Sequence, residues 1–115
     1  MKEFLLVFRG DYKSTEGVSP EQLQASTQKW MNWIGSIAAQ NKLVDRGNRL
    51  EGSGKVLKGG GSLSDGPFTE LKESIMGYTL IKTESIQDAE QLCKECPIFS
   101  IGGSVEIRQI NKLQD

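Results

Sequence analysis

Lys2-Glu3-Phe4-Leu5-Leu6-Val7-Phe8-Arg9 is the stretch on which the fold turns. Phe4, Leu6 and Phe8 form one alternate set, Leu5 and Val7 the other, and both sets are apolar. A strand that is apolar on both sides is an interior strand with cover above and below. The run is only five apolar residues long and ends at Arg9. That is too short for a signal peptide core, and far short of the ~20 apolar residues of a spanning helix. The expectation is a cytoplasmic protein with no membrane partner.

Working outward, Gly10 to Val18 reads as a polar loop. Ser19-Pro20-Glu21-Gln22 then opens a helix: Ser19 caps it, Pro20 suits its first position, and Gln22 completes a capping box. The helix runs to about Gln40, with Asn41 as its stop. Leu23, Trp30, Ile34, Ile37 and Ala38 share one stripe, with Met31 and Trp33 off its centre. Leu43 to Leu50 and Lys55 to Lys58 read as short strands of a hairpin, with turns supplied by Arg46-Gly47-Asn48 and Glu51-Gly52-Ser53-Gly54. Gly59-Gly60-Gly61 is a further turn or bulge, after which Ser62 to Ser64 continues the second strand. Ser64-Asp65-Gly66-Pro67 is a turn signal. Ser74 to Lys82 is a strand, and Gly77 within it marks a bulge or a close backbone approach. Ser85 caps a second helix whose apolar stripe is Ala89, Leu92, Cys93 and Cys96, and Pro97 ends it. In Ser104 to Ile110, Val105 and Ile107 take one face, Glu106 and Arg108 the other.

This order gives an α+β fold, a ferredoxin-like β-α-β-β-α-β arrangement on an antiparallel sheet, spanning residues 1–115 as one domain. The residues after Asn41 count either as one strand plus an excursion or as two strands. Two helices cover only one sheet face. A second subunit would cover the other, giving a homodimer with sheets facing across a shared cavity. Loops folded over the open face of a monomer are the alternative.

Composition narrows the chemistry. The 115 residues carry a net charge of −1 and no basic stripe, which argues against nucleic acid as partner. There is no histidine, which removes Ser-His and Cys-His nucleophile pairs and imidazole metal ligands. Acid–base work would fall to carboxylates, Tyr, Lys or Cys. Cys93-Lys94-Glu95-Cys96 has redox spacing but lies at a helix C-terminus, where the dipole disfavours thiolate. Buried core thiols are the expectation, and two cysteines do not complete a zinc site. Lys58-Gly59-Gly60-Gly61 lacks the ending of a phosphate loop. No metal or cofactor is expected.

Asp65-Gly66-Pro67-Phe68-Thr69-Glu70-Leu71-Lys72-Glu73 is the most distinctive stretch. By its residues alone it reads as a rigid turn in solvent or as the rim of a pocket. Asp-Gly-Pro-Phe followed by Thr-Glu-Leu-Lys-Glu resembles the signature of the YCII-related, DGPF-motif family. Gly77-Tyr78, Ile81, Asp88-Ala89, Cys96-Pro97, Gly103 and Val105-Glu106-Ile107-Arg108 follow in the family's order. The resemblance spans nearly the whole chain and implies the dimeric α/β-barrel form of the ferredoxin-like fold. It also implies a pocket to which Asp65, Phe68, Glu70, Lys72, Glu73, Glu106 and Arg108 contribute. The family's cleft His-Asp pair has no counterpart here, and Gln109 stands where a proline is usual.

Glu106 and Arg108 lie about 6.6 Å apart along one strand face. If Val105 and Ile107 pack under the helices, the two charges face the cavity. There Arg108 would orient a small anionic or carbonyl-bearing ligand, or else pair internally with Asp65 or a glutamate of the signature stretch. Asp65 or Glu73 would accept the proton in a lyase- or isomerase-like reaction, with Phe68, Glu70 and Lys72 lining the ligand site. The alternative is a non-catalytic module that senses a ligand or binds another protein.

Overall fold

The computed structural model describes residues 1–61, 63–65 and 73–113. Strand β1 (Lys2–Gly10) leads through a 3-10 turn at Tyr12–Thr15 into helix α1 (Pro20–Ala39). Strands β2 (Leu43–Asp45), β3 (Lys55–Leu57), β4 (Leu63–Asp65) and β5 (Ser74–Thr83) follow. Helix α2 (Ile86–Cys93), a 3-10 turn at Pro97–Ile101 and β6 (Ser104–Gln109) complete the order. The main sheet runs β2-β5-β1-β6 and every pairing in it is antiparallel. This is the ferredoxin-like order, with β1 interior as its apolar faces require.

The expected hairpin between residues 43–50 and 55–58 does not form. β2 pairs with β5 in the main sheet, while β3 pairs with β4 in a separate two-stranded ribbon. The turn that makes the ribbon is the glycine triplet, where Gly60 and Gly61 both take φ of +87°. Side chains rarely adopt that backbone, so glycines there decide which strands meet. The chain between β2 and the ribbon continues along β5: Leu50 N–H donates to Met76 O at 2.9 Å and Tyr78 N–H to Asn48 O at 3.2 Å. Gly47 makes this possible, since a Cβ there would lie 1.8 Å from Tyr78 O.

Local signals explain the helices. Ser19 Oγ accepts from Gln22 N–H, and Gln22 Oε1 accepts from Ser19 N–H at 3.0 Å. Asn41, at φ +59°, stops α1 as its left-handed residue. Ser85 Oγ accepts from Asp88 N–H to open α2.

Phe4, Leu6, Ile37 and Ile81 have no exposure at all. Each such side chain contributes roughly 1.5–3 kcal/mol by leaving water. The helix stripe differs from expectation. Trp33 is at its centre, 6% exposed, while Leu23 is 50% exposed and Ala38 also faces water. Residues 20–29 of α1 are exposed throughout, so only its second half meets the sheet. Phe8, Trp30 and Trp33 meet edge to face, with centroids 4.9–5.9 Å apart, and Trp33 Nε1–H donates to Leu92 O at 2.9 Å. Between Phe8 and Arg9 the β1–β5 register slips by one residue, a bulge that leaves Met76 without a partner in β1. Gly77 also carries the close approach its position implied: a Cβ there would sit 2.9 Å from Asn48 O.

Candidate functional site

The register sorts the strands onto two faces. Phe4, Leu6 and Phe8 of β1 stand opposite Ile81, Thr79 and Gly77 of β5 and opposite Gln109, Ile107 and Val105 of β6. Core residues on that side pack beneath the helices. Leu5, Val7 and Arg9 therefore point the other way, with Leu80 and Tyr78 from β5 and with Arg108, Glu106 and Ser104 from β6. The expectation for Glu106 and Arg108 holds: they share the face away from the helices.

On that open face three charges form a row. Arg108 Nη1 donates to Glu106 Oε2 at 3.1 Å, and Arg9 Nε donates to Glu106 Oε1 at 3.0 Å. Arg9 Nη1 also donates to the Glu73 carbonyl at 3.1 Å. Hydrogen bonds from Arg108 and then from Arg9 hold the Glu106 carboxyl below its usual pKa. Glu106 is thus fixed as an anion and is a weak base. The Arg108 side chain remains 72% exposed, against 25% for Arg9. Arg108 spends one of a guanidinium's five donors on Glu106. Leu5 and Leu80 are half-buried beside this row, and Val7 is buried.

Arg9 is the residue that sequence reasoning missed. Val7 lies opposite Glu106, so Arg9, two residues further along β1, shares its face and reaches it diagonally. Alternation in β1 gives only its face; the β1–β6 register brings it to Glu106.

The other candidate residues are placed differently. Asp65 sits in β4 of the ribbon and is ion-paired with Lys55 across the hairpin; its side chain is 85% exposed. The internal partner of Arg108 is Glu106, not Asp65. Glu73 is exposed just before β5. Phe68, Glu70 and Lys72 lie outside the described residues.

A shallow hollow of about 340 Å³ lies elsewhere, lined by Tyr12, Arg49, Leu50, Glu51 and Gly52. Its central hydroxyl is occupied: Tyr12 Oη lies 2.8 Å from Leu50 O, 3.0 Å from Ile75 O and 3.2 Å from Glu51 O. Burial pushes the Tyr12 pKa above its usual value, so the phenol keeps its proton and clamps the segment before the ribbon to β5.

Cys93 and Cys96 are free thiols in the core. Burial pushes both up to about 12, which suppresses thiolate chemistry near neutral pH. Among the described residues, no helix is long and apolar enough to cross a membrane.

The model of the YCII-related domain matches residues 5–114. A search of curated proteins returns no match. With a family model covering nearly its whole length, the chain belongs to the YCII-related domain family.

Proposed function

We propose that this YCII-related chain binds a small anionic or carbonyl-bearing ligand on the open face of its sheet, in a cavity completed by a second copy. The observation that carries this reading is the Arg9–Glu106–Arg108 row. One carboxylate holds two guanidiniums in place beside apolar Leu5 and Leu80, and the outer guanidinium keeps donors in reach of a ligand. A planar fork of N–H groups beside an apolar floor suits a carboxylate or a polarised carbonyl.

Two observations support a second copy as the lid: the Arg108 side chain is 72% exposed, and Leu5 and Leu80 on the same face are only half-buried.

Binding without chemistry is the reading the side chains favour. Glu106 is held ionised by two arginines, and Asp65 is engaged with Lys55 in the ribbon. A carboxylate that two guanidiniums hold ionised is a weak proton acceptor.

The test is thermal stabilisation across a panel of small mono- and dicarboxylates and 2-oxo acids, for wild type and Arg108→Ala. At least one compound should raise the wild-type Tm and leave the variant's unchanged. Equal stabilisation of both proteins, or none of the wild type, would remove the site.

A further inference from the structure

The two edges of the main sheet are finished differently. β2 is three residues long, and its register with β5 slips between Leu43 and Asp45. β6 is six residues long, pairs with β1 without a slip and has no second neighbour among the described residues. One pair beyond that ladder, Ile110 N–H donates to Glu3 O at 2.9 Å. Antiparallel pairs alternate between hydrogen-bonded and not. The backbone groups of Ser104, Glu106 and Arg108 therefore face β1, and those of Val105, Ile107 and Gln109 face outward. Among the described residues, none of these outward groups meets a donor or an acceptor. β6 also contains no proline, lysine or bulge of the kind that blunts an exposed edge.

This edge is complementary to itself. When a second β6 runs antiparallel along it with the two-fold axis at Ile107, Val105 stands opposite Gln109 of the second copy and Ile107 opposite Ile107. Every outward N–H then meets a carbonyl. Glu106 stands opposite Arg108, and Arg108 opposite Glu106. Opposite charges facing across a ladder stabilise it and like charges destabilise it. A slide of two residues either way sets Glu106 against Glu106 or Arg108 against Arg108. A slide of one residue sets outward groups against inward ones. Backbone and charge thus select the same register. Arg108 has donors for it, being largely exposed and spending one on its own Glu106. Half-buried Ile107 brings a β-branched pair to the axis.

We infer that β6 is a self-recognition edge: two copies join along it, antiparallel and centred on Ile107, into one continuous sheet. The two-fold pairing closes the edge on both copies at once. It rests on backbone direction and charge alone, so it stands independently of the ligand site and of a lid over the open face.

Hydrogen exchange of the wild-type protein over a range of concentrations tests this. In a single chain the amides of Val105, Ile107 and Gln109 have no acceptor and should exchange fast, while β1 holds those of Glu106 and Arg108. In the joined sheet all five should be protected. Sedimentation equilibrium of Gln109→Pro gives a second reading. Proline removes only an outward N–H, so the β1–β6 ladder should survive, as circular dichroism would show. Each pair of copies loses two backbone bonds, each worth about a factor of five, so the dissociation constant should rise about tenfold or more. A protein that associates while Val105 and Ile107 still exchange fast, or whose Gln109→Pro variant associates equally well, joins elsewhere; that overturns the edge but not the lid. A wild type that stays monomeric overturns both.

Discussion

On the helix-covered face of the sheet, Phe4, Leu6 and Ile81 lose all contact with water. One residue along each strand, on the open face, Leu5 and Leu80 are only half-buried and stand beside Arg9, Glu106 and Arg108. The same strands make both faces, so strand propensity does not distinguish them. What differs is the partner. The closed face is satisfied inside the chain by α1 and α2, whereas the open face keeps a mixture of apolar floor and fixed charge that suits a partner arriving from outside. A site for recognition belongs on the face whose packing is unfinished.

That contrast can be broken most directly by truncating neighbouring side chains. Phe4→Ala should cost about 3–5 kcal/mol in urea unfolding at every protein concentration, because it opens a cavity in a closed core. Leu5→Ala, one position along, should cost about 1 kcal/mol in dilute protein and more as concentration rises. Equal losses for the two at high dilution would show that the faces are not built differently.

A smaller effect sharpens the comparison at the edge of the closed face. Residues 20–29 of α1 have no core beneath them, so the start of the helix leans on its capping box. Ser19→Ala should cost about 1 kcal/mol and speed amide exchange in the first turns, leaving Trp33 fluorescence unchanged. A shifted Trp33 spectrum would mean that the cap supports the core as well.

The smallest effect concerns the charged row. The folded pKa of Glu106 lies below its unfolded value. Its stabilising pairing is therefore present above the ordinary glutamate range near about 4.3, and is lost as pH falls through the folded value. Wild type should be slightly more stable than Glu106→Gln near neutrality. The urea midpoints should converge on acidification below that range. A gap that widens toward acid would contradict the assigned direction.

Much of this architecture is legible in the residues. The caps at Ser19 and Ser85, the stop at Asn41 and the alternation of Val105 to Arg108 are local signals, and local geometry obeys them. The misplaced features depend on contacts distant in sequence. Trp33 completes a 30, 33, 34, 37 set, but a stripe drawn from Leu23 hides it, because nothing in the sequence says that the sheet ends halfway along α1. The hairpin is assigned to the wrong glycines because Gly52 and Gly54 carry the same turn chemistry as Gly60 and Gly61; pairing of β2 with β5 decides between them. The charged row is half legible: Glu106 and Arg108 follow from alternation, while Arg9 requires the β1–β6 register.

The bulge at Met76 has a consequence for the length of the chain. Elsewhere in β5, losing one residue would turn every side chain between the cut and the strand end to the opposite side. At Met76 the strand already counts one residue more than β1 does, with Ile75 facing Arg9 and Gly77 facing Phe8. Deleting Met76 would sacrifice a buried thioether yet leave both neighbours on their present sides. Toward β1 the protein could shorten here without being rewired, whereas on the other side of β5 Leu50 N–H would lose its acceptor, Met76 O.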